Sequence, residues 1–183
     1  MPRVRIVGGE WKRRFITFPA APGLRPTPDA VRETLFNWLG QDLTGLTCLD
    51  LFAGSGVLGF EAASRGASRV TLVERDAHSF TALKNNASVL QGGPADGRLE
   101  LIRADALKFL SRAPRRHDLL FLDPPYRQGW VERIEPWLPG VLAPDARIYA
   151  EAEFPIEHIG AWATVRSGQS GQVYFHLLEA NTA

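Results

Sequence analysis

Three stretches carry residues whose types and spacing could do chemistry together. The first is Asp123-Pro124-Pro125-Tyr126, which ends the apolar run Asp118-Leu119-Leu120-Phe121-Leu122. Two consecutive prolines cannot continue a central ladder, so the chain must leave the sheet there. A carboxylate and an aromatic ring are thereby held at the carboxyl edge, where open α/β sheets bind ligands. The second is Asp50-Leu51-Phe52-Ala53-Gly54-Ser55-Gly56-Val57-Leu58-Gly59, an apolar strand that runs into a G-x-G-x-x-G turn. In that pattern Gly54 permits the tight turn, Gly56 admits a ligand to the backbone, and Gly59 lets the new helix pack on the strand. The third is Glu74, which closes the run Arg69-Val70-Thr71-Leu72-Val73 and can accept hydrogen bonds from ribose hydroxyls. The glycines and Glu74 imply a nucleotide-shaped ligand and fit NAD and S-adenosylmethionine equally well.

These groups must be positioned by alternating strands and helices. The pattern predicts strands through Asp50, over Arg69 to Glu74, over Leu99 to Asp105, over His117 to Asp123 and over Ala146 to Ala152, with helices between them. Gln91 to Gly97 reads as a glycine and proline loop, and Val131 to Leu138 as a helix. A last pair, Trp162 to Arg166 and Gln172 to Glu179, reads as a hairpin joined by Ser167-Gly-Gln-Ser-Gly171. Asp50, Glu74, Asp105 and Asp123 all fall within or at the ends of parallel strands, so one shared edge can gather them. Asp105, followed by Ala106, either accepts from an adenine amino group or caps the helix that it precedes.

The amino-terminal segment is of another kind. Arg3, Arg5, Lys12, Arg13, Arg14 and Arg25 face a single acid, Glu10, and apolar residues on either side of Gly8-Gly9 suggest a hairpin. A basic face with Trp11 near its tip could meet phosphates and a base, or serve as a solvated edge ribbon. The proline-rich linker through Pro28 leads into a helix with Thr27 as its expected N-cap and Val31, Leu35, Trp38 and Leu39 on one face. Arg25 and Thr27 lie where the linker can fold over a ligand. Arg127 follows the Asp-Pro-Pro-Tyr turn on the same edge.

At 183 residues, 45% hydrophobic and 22% charged, the chain is expected to form one globular domain over 1–183, with 1–25 as a basic hairpin extension and linker. A single cysteine, Cys48, rules out a disulfide framework and fits a cytoplasmic location. No run approaches the length of a membrane span. No H-x-x-x-H, C-x-x-C, nucleophile elbow or lysine-bearing phosphate loop is present, so neither a metal site nor phosphoryl transfer has support.

With these residues in view, the chain resembles a known family. Asp-Pro-Pro-Tyr after a fourth strand, together with Asp50-Leu-Phe-Ala-Gly-Ser-Gly, is similar to S-adenosylmethionine-dependent amino methyltransferases. Arg5-Ile-Val-Gly-Gly, Leu24-Arg-Pro-Thr, Val31-Arg-Glu-Thr-Leu-Phe-Asn-Trp-Leu39 and Asp50 to Gly59 narrow the resemblance to the RsmD family. The likeness covers essentially the whole chain. Two departures are visible: family members usually have glycine at the position of Arg13 and often arginine at that of Ala30.

The resemblance implies an α/β, Rossmann-like fold, with a seven-stranded mostly parallel sheet whose last strand is antiparallel, preceded by a β-hairpin. It implies methyl transfer from S-adenosylmethionine, leaving S-adenosylhomocysteine, to N2 of guanine 966 in 16S rRNA. Asp50, Phe52, Ala53, Gly54, Ser55, Gly56 and Gly59 would cradle the methionine part, Glu74 the ribose, and Asp105 with Ala106 the adenine. Asp123, Pro124, Pro125 and Tyr126 would form the catalytic loop, while Arg3, Arg5, Lys12, Arg13, Arg14, Arg25 and Arg127 would meet RNA. The expected partner is 16S rRNA within the small ribosomal subunit, approached by a monomer. Three alternatives stand beside this reading: methylation of adenine N6 or another guanine, a NAD-binding oxidoreductase, and an inert RNA-binding module.

Overall fold

Strand residues that alternate between two apolar faces require cover on both, and the computed structural model of the chain supplies it with three layers. Residues 1–91, 97–113 and 115–181 are described. The element order is β1 (Arg3–Arg5), β2 (Phe15–Thr17), α1 (Asp29–Leu39), β3 (Thr47–Asp50), α2 (Val57–Ser64), β4 (Arg69–Glu74), α3 (Ala77–Gln91), β5 (Leu99–Arg103), α4 (Ala106–Arg112) and β6 (His117–Leu122). There follow α5 (Trp130–Ile134), a 3-10 turn over Glu135–Trp137, α6 (Leu138–Val141), β7 (Leu142–Ala152), β8 (His158–Ile159), β9 (Trp162–Ser170) and β10 (Val173–Ala180). The loop expected over Gln91 to Gly97 falls on residues 92–96, outside the described residues.

The main sheet has the order β5-β4-β3-β6-β7-β10-β9-β8. The five strands from β5 to β7 are parallel, and β10 runs antiparallel to β7. This is the expected seven-stranded sheet, with the two-residue β8 added beyond β9. β1 and β2 form the separate antiparallel hairpin. Cys48, Val70, Leu119, Phe121 and Tyr149 enter one core with residues of α1, α2 and α3. Leu49, Val73, Leu120, Leu122, Ile148 and Ala150 enter the other with α4, α5 and α6. Because side chains alternate along a strand, Asp50, Glu74, Asp123 and Glu151 all belong to the α1–α3 face.

Several boundaries differ from the expected ones, each for a local reason. Pro136 and Pro139 cannot sit in a helix interior, so the single helix expected over Val131 to Leu138 divides into α5, a 3-10 turn and α6. The final hairpin turns at Gly171-Gln172, and its strands extend to Ser170 and from Val173, since Ser167 to Ser170 still pair with Val173 to His176. Thr27 does not cap α1; Pro28 holds that position without a side-chain cap bond.

The hairpin is bolted down by a buried ion-pair hub. Glu61 of α2 is 0% exposed and accepts from the Val7 amide at 2.6 Å, the Arg32 guanidinium at 2.7 Å and the Arg65 guanidinium at 3.2 Å. Arg32, also 0% exposed, further donates to the carbonyls of Thr27 at 2.9 Å and Arg5 at 2.7 Å. Gly9 lies so near α2 that a Cβ there would meet the Ser64 carbonyl oxygen at 2.0 Å, which explains why the hairpin carries glycine at this contact. Trp11, expected at an exposed tip, is 2% exposed beneath the Arg98 guanidinium, because the hairpin turns its apolar side onto the body. Among the described residues no helix is long and apolar enough to cross a membrane.

Candidate functional site

The parallel register places the acids. Asp50 pairs with Phe121 across β3 and β6, and Leu122 pairs with Ala150 across β6 and β7. Asp123 and Glu151 therefore leave neighbouring strands at the same height on one face, one layer above Asp50. Asp50 is 2% exposed and accepts from the Gly59 amide at 3.1 Å, at the start of α2. Glu74 accepts from the Gly54 amide at 2.8 Å and the Asp76 amide at 2.7 Å, so it braces the glycine turn while remaining at the edge. Asp123 has no hydrogen bond or ion pair with the described residues, and none of Asp50, Glu74, Asp123 and Glu151 meets a cation there.

Unpaired burial shifts these groups in one direction. Desolvation pushes Asp50 up to about 7, against the opposing Gly59 amide and with the charges of Glu74 and Glu151 adding to it. Burial pushes Asp123 well above the usual carboxylate range, and the charges of Glu151 and Asp50 reinforce the shift. Glu151 moves up by burial while the Thr27 hydroxyl, at 2.5 Å, holds it back. The Tyr149 hydroxyl is buried and completes no hydrogen bond among the described residues, although it and Glu151 shift each other's titration. An anionic, donor-poor face of this kind suits a ligand that carries positive charge and N–H groups.

The glycine turn is built mainly by packing. Gly54 has a φ of +56°, and a Cβ there would lie 3.0 Å from Leu24 of the linker. Gly56 has a φ of +84°, and its Cβ would meet Leu83 at 2.4 Å and Phe60 at 2.6 Å. The expected role of Gly56, close approach of a ligand, is thus corrected: its missing side chain faces the core. Gly59 does pack closely, its Cβ position lying 2.8 Å from Leu72. Ala53 donates to the Val73 carbonyl at 2.9 Å, and the Ser55 hydroxyl accepts from Val57 at 3.3 Å. The Phe52 ring meets Trp130 edge-on at 5.0 Å, tying this turn to the segment after Asp-Pro-Pro-Tyr. Asp105 accepts from the amides of Leu107 and Lys108, so it caps α4, with Ala106 buried as the first helical residue.

The loop after β6 opens a cavity of about 160 Å³ lined by Pro124, Pro125, Tyr126, Trp130, Glu151 and Phe154, among others. Tyr126 is 42% exposed and Phe154 45%, a pair of rings at its mouth. Arg127 takes a left-handed backbone, φ +62°, and its side chain stands out in solvent 3.8 Å from Glu153. Of the other basic candidates, Arg14 donates to the carbonyls of Val89 and Leu90 at the end of α3, Arg5 pairs with Asp29, and Arg3 covers the Phe15 ring. The side chains of Lys12, Arg13 and Arg25 are exposed and meet no bonded partner among the described residues. Arg13 has a φ of +73°, a conformation that suits glycine.

Glu151 escapes the sequence reading, and so does its contact with Thr27, a residue expected where the linker folds over a ligand. Glu151 carries the same signal as Asp50 and Asp123, an acid near the carboxyl end of a parallel strand. Thr27 reaches it over 124 residues of sequence, which no local pattern encodes.

The sequence matches the family described as Conserved hypothetical protein 95 over residues 4–179. It is 41% identical over 182 residues to ribosomal RNA small subunit methyltransferase D of Escherichia coli strain K12, covering 97% of this chain and 90% of the relative. The solved structure of yhhF from Escherichia coli superposes with a TM-score of 0.86 at 38% identity, covering 100% of both chains. An RNA methyltransferase from Salinibacter ruber, solved with S-adenosyl-L-homocysteine, shares the fold at a TM-score of 0.66 and 17% identity, over 87% of this chain and 95% of that one.

Proposed function

The chain belongs to the Conserved hypothetical protein 95 family, the RsmD family, and from that premise we propose that it methylates ribosomal RNA of the small subunit with S-adenosylmethionine, at N2 of guanine 966 in the 16S rRNA. The observation that carries this reading is Asp123. It is an acid without a bonded partner among the described residues, held by two prolines at the sheet edge, one layer above the buried Asp50 and beside an exposed tyrosine.

The cofactor fits the residues on that face. Four acids that meet no cation among the described residues favour a ligand with an ammonium and a sulfonium, and Glu74 stands beyond the glycine turn where ribose hydroxyls would donate. Asp105, occupied as a helix cap, retains acceptor capacity beside Ala106 for the adenine amino group. When bound, S-adenosylmethionine supplies an electrophilic methyl group.

The protein's own task is to make a poor nucleophile react. An exocyclic amine on a purine delocalises its lone pair into the ring. The Asp123 carboxylate and the Pro124 carbonyl accept its two N–H bonds, which favours a pyramidal nitrogen with its lone pair free for in-line attack. Asp123 is positioned to take the proton that the product nitrogen releases, and burial has already raised its affinity for one. Tyr126 gives the displaced base a stacking surface, and fixed geometry supplies much of the acceleration. Lys12, Arg13, Arg25 and Arg127 are the cations left to meet phosphates.

Nucleoside mass spectrometry of small subunits that lack the modification, after incubation with labelled cofactor, tests the reading. Label in N2-methylguanosine at one site is the expected result. Label in N6-methyladenosine would retain the chemistry and overturn the base, and label in neither would overturn the substrate.

A further inference from the structure

We propose that Glu151 reads the ring N1–H of the target guanine, next to the exocyclic amine that Asp123 engages, and so decides which base the site accepts. The inference rests on the guanine N2 reading above and assigns a specificity residue within it. Glu151 and Asp123 project from adjacent parallel strands at one height and on one face, so together they present two carboxylates to a single edge of a ligand. Glu151 also lines the cavity that opens beside Pro124 and Tyr126.

Its carboxylate is aimed. The Thr27 hydroxyl donates to Oε2 at 2.5 Å and fixes the side chain, while Oε1 has no partner among the described residues. The residue is 6% exposed and meets no cation among the described residues; the nearby Tyr149 hydroxyl influences its titration but completes no hydrogen bond there, so this oxygen stays open to a donor from the cavity. A structural acid of this protein, Glu61, is treated in the opposite way, with donors on both oxygens.

The chemistry of the bases decides what would satisfy such a pair. Guanine carries N1–H and the N2 amine side by side, two adjacent donors that match two adjacent carboxylates. Adenine carries its amine beside N1, which is an acceptor, so its lone pair would face a carboxylate that has none but acceptor sites. The rings of Tyr126 and Phe154, both exposed at the mouth of the cavity, stand ready to hold the base plane between them.

The test compares two target bases in small subunits assembled on ligated rRNA: guanine, and 2-aminopurine, which keeps the 2-amine but has no N1–H. The wild-type protein is expected to favour guanine in kcat/KM by at least about tenfold. Glu151→Gln keeps the size of the side chain and a partner for Thr27, and its amide can donate to the bare N1. Its preference is expected to shrink by about tenfold or more, with S-adenosylhomocysteine affinity within about threefold of wild type. Thr27→Val, which frees the carboxylate without removing it, is expected to narrow the same ratio by a smaller factor and serves if Glu151→Gln does not fold. An unchanged ratio in both variants overturns the assignment while the guanine reading stands. Failure of the wild-type protein to methylate guanine overturns both.

Discussion

Two groups of acids on the same face of the sheet, all buried but the half-buried Asp123, are treated in opposite ways. Glu61, on α2, is wrapped by Arg32, Arg65 and the Val7 amide, so its charge is fully answered within the chain. Among the described residues, Asp50, Asp123 and Glu151, at the ends of β3, β6 and β7, meet one amide, no bonded partner and one hydroxyl respectively, and no cation. The first arrangement fastens the hairpin, the linker and two helices. The second leaves charge and hydrogen-bonding capacity open at the edge where a ligand can reach it. The difference separates an acid that holds the fold from acids left open to a ligand, which the proposed function assigns to chemistry, since burying an unanswered carboxylate costs stability and has to be offset by something else.

Breaking the answered group should have the largest effect on stability. Glu61→Ala removes the carboxylate that Arg32 and Arg65 share and leaves Arg32 with the Asp29 carboxylate alone, and the expected loss is about 3–5 kcal/mol in urea unfolding. A loss below about 1 kcal/mol would erase the contrast. The glycine turn sorts with the framework despite its motif. Gly56→Ala combines a left-handed backbone with a core collision and should cost about 2–4 kcal/mol, measured by the same unfolding curves, before any question of cofactor affinity arises.

The open group should show itself in pH dependence. Burial pushes Asp50 up to about 7 from its ordinary 3.8, so the folded chain binds the extra proton between those values. Stability of the protein without ligand should therefore fall as pH rises through that window, by at most about 1.4 kcal/mol per pH unit from this group. Burial pushes His117 down to about 4 and gives the opposite slope between there and 6.5, so the difference between wild type and Asp50→Asn isolates the acid. A difference that is flat with pH would remove Asp50 from the strained set. The smallest effect is expected at the hairpin. Arg13→Gly relieves a left-handed residue and should stabilise by up to about 1 kcal/mol, while lowering the salt dependence of RNA binding by about one phosphate contact.

The sheet was legible because its strands are apolar runs bounded by glycine and proline, and because parallel strands covered on both faces require that density. Asp50, Glu74 and Asp123 were legible as acids at strand ends, a signal that also marks Glu151. The contact of Thr27 with Glu151 and the burial of Trp11 were not, for a shared reason. A local pattern says that a threonine precedes a helix or that a tryptophan lies near a turn, and it cannot say which distant surface the segment folds onto. The Asp-Pro-Pro-Tyr turn needed no such information, since proline chemistry fixes it locally. Arg14 shows the same limit from the other side: charge alone suggested RNA, while tertiary structure sets it against the carbonyls that end α3.

The most direct measurement is single-turnover methyl transfer to unmodified small subunits by Asp123→Ala, paired with calorimetric titration of S-adenosylhomocysteine and a thermal unfolding curve. An acid kept for chemistry predicts a fall in rate of at least about a hundredfold, cofactor affinity within about threefold, and unfolding no earlier than wild type. Near-normal transfer, or a rate lost only because the variant has unfolded, would contradict the division between the acid that fastens this protein and the acids that work in it.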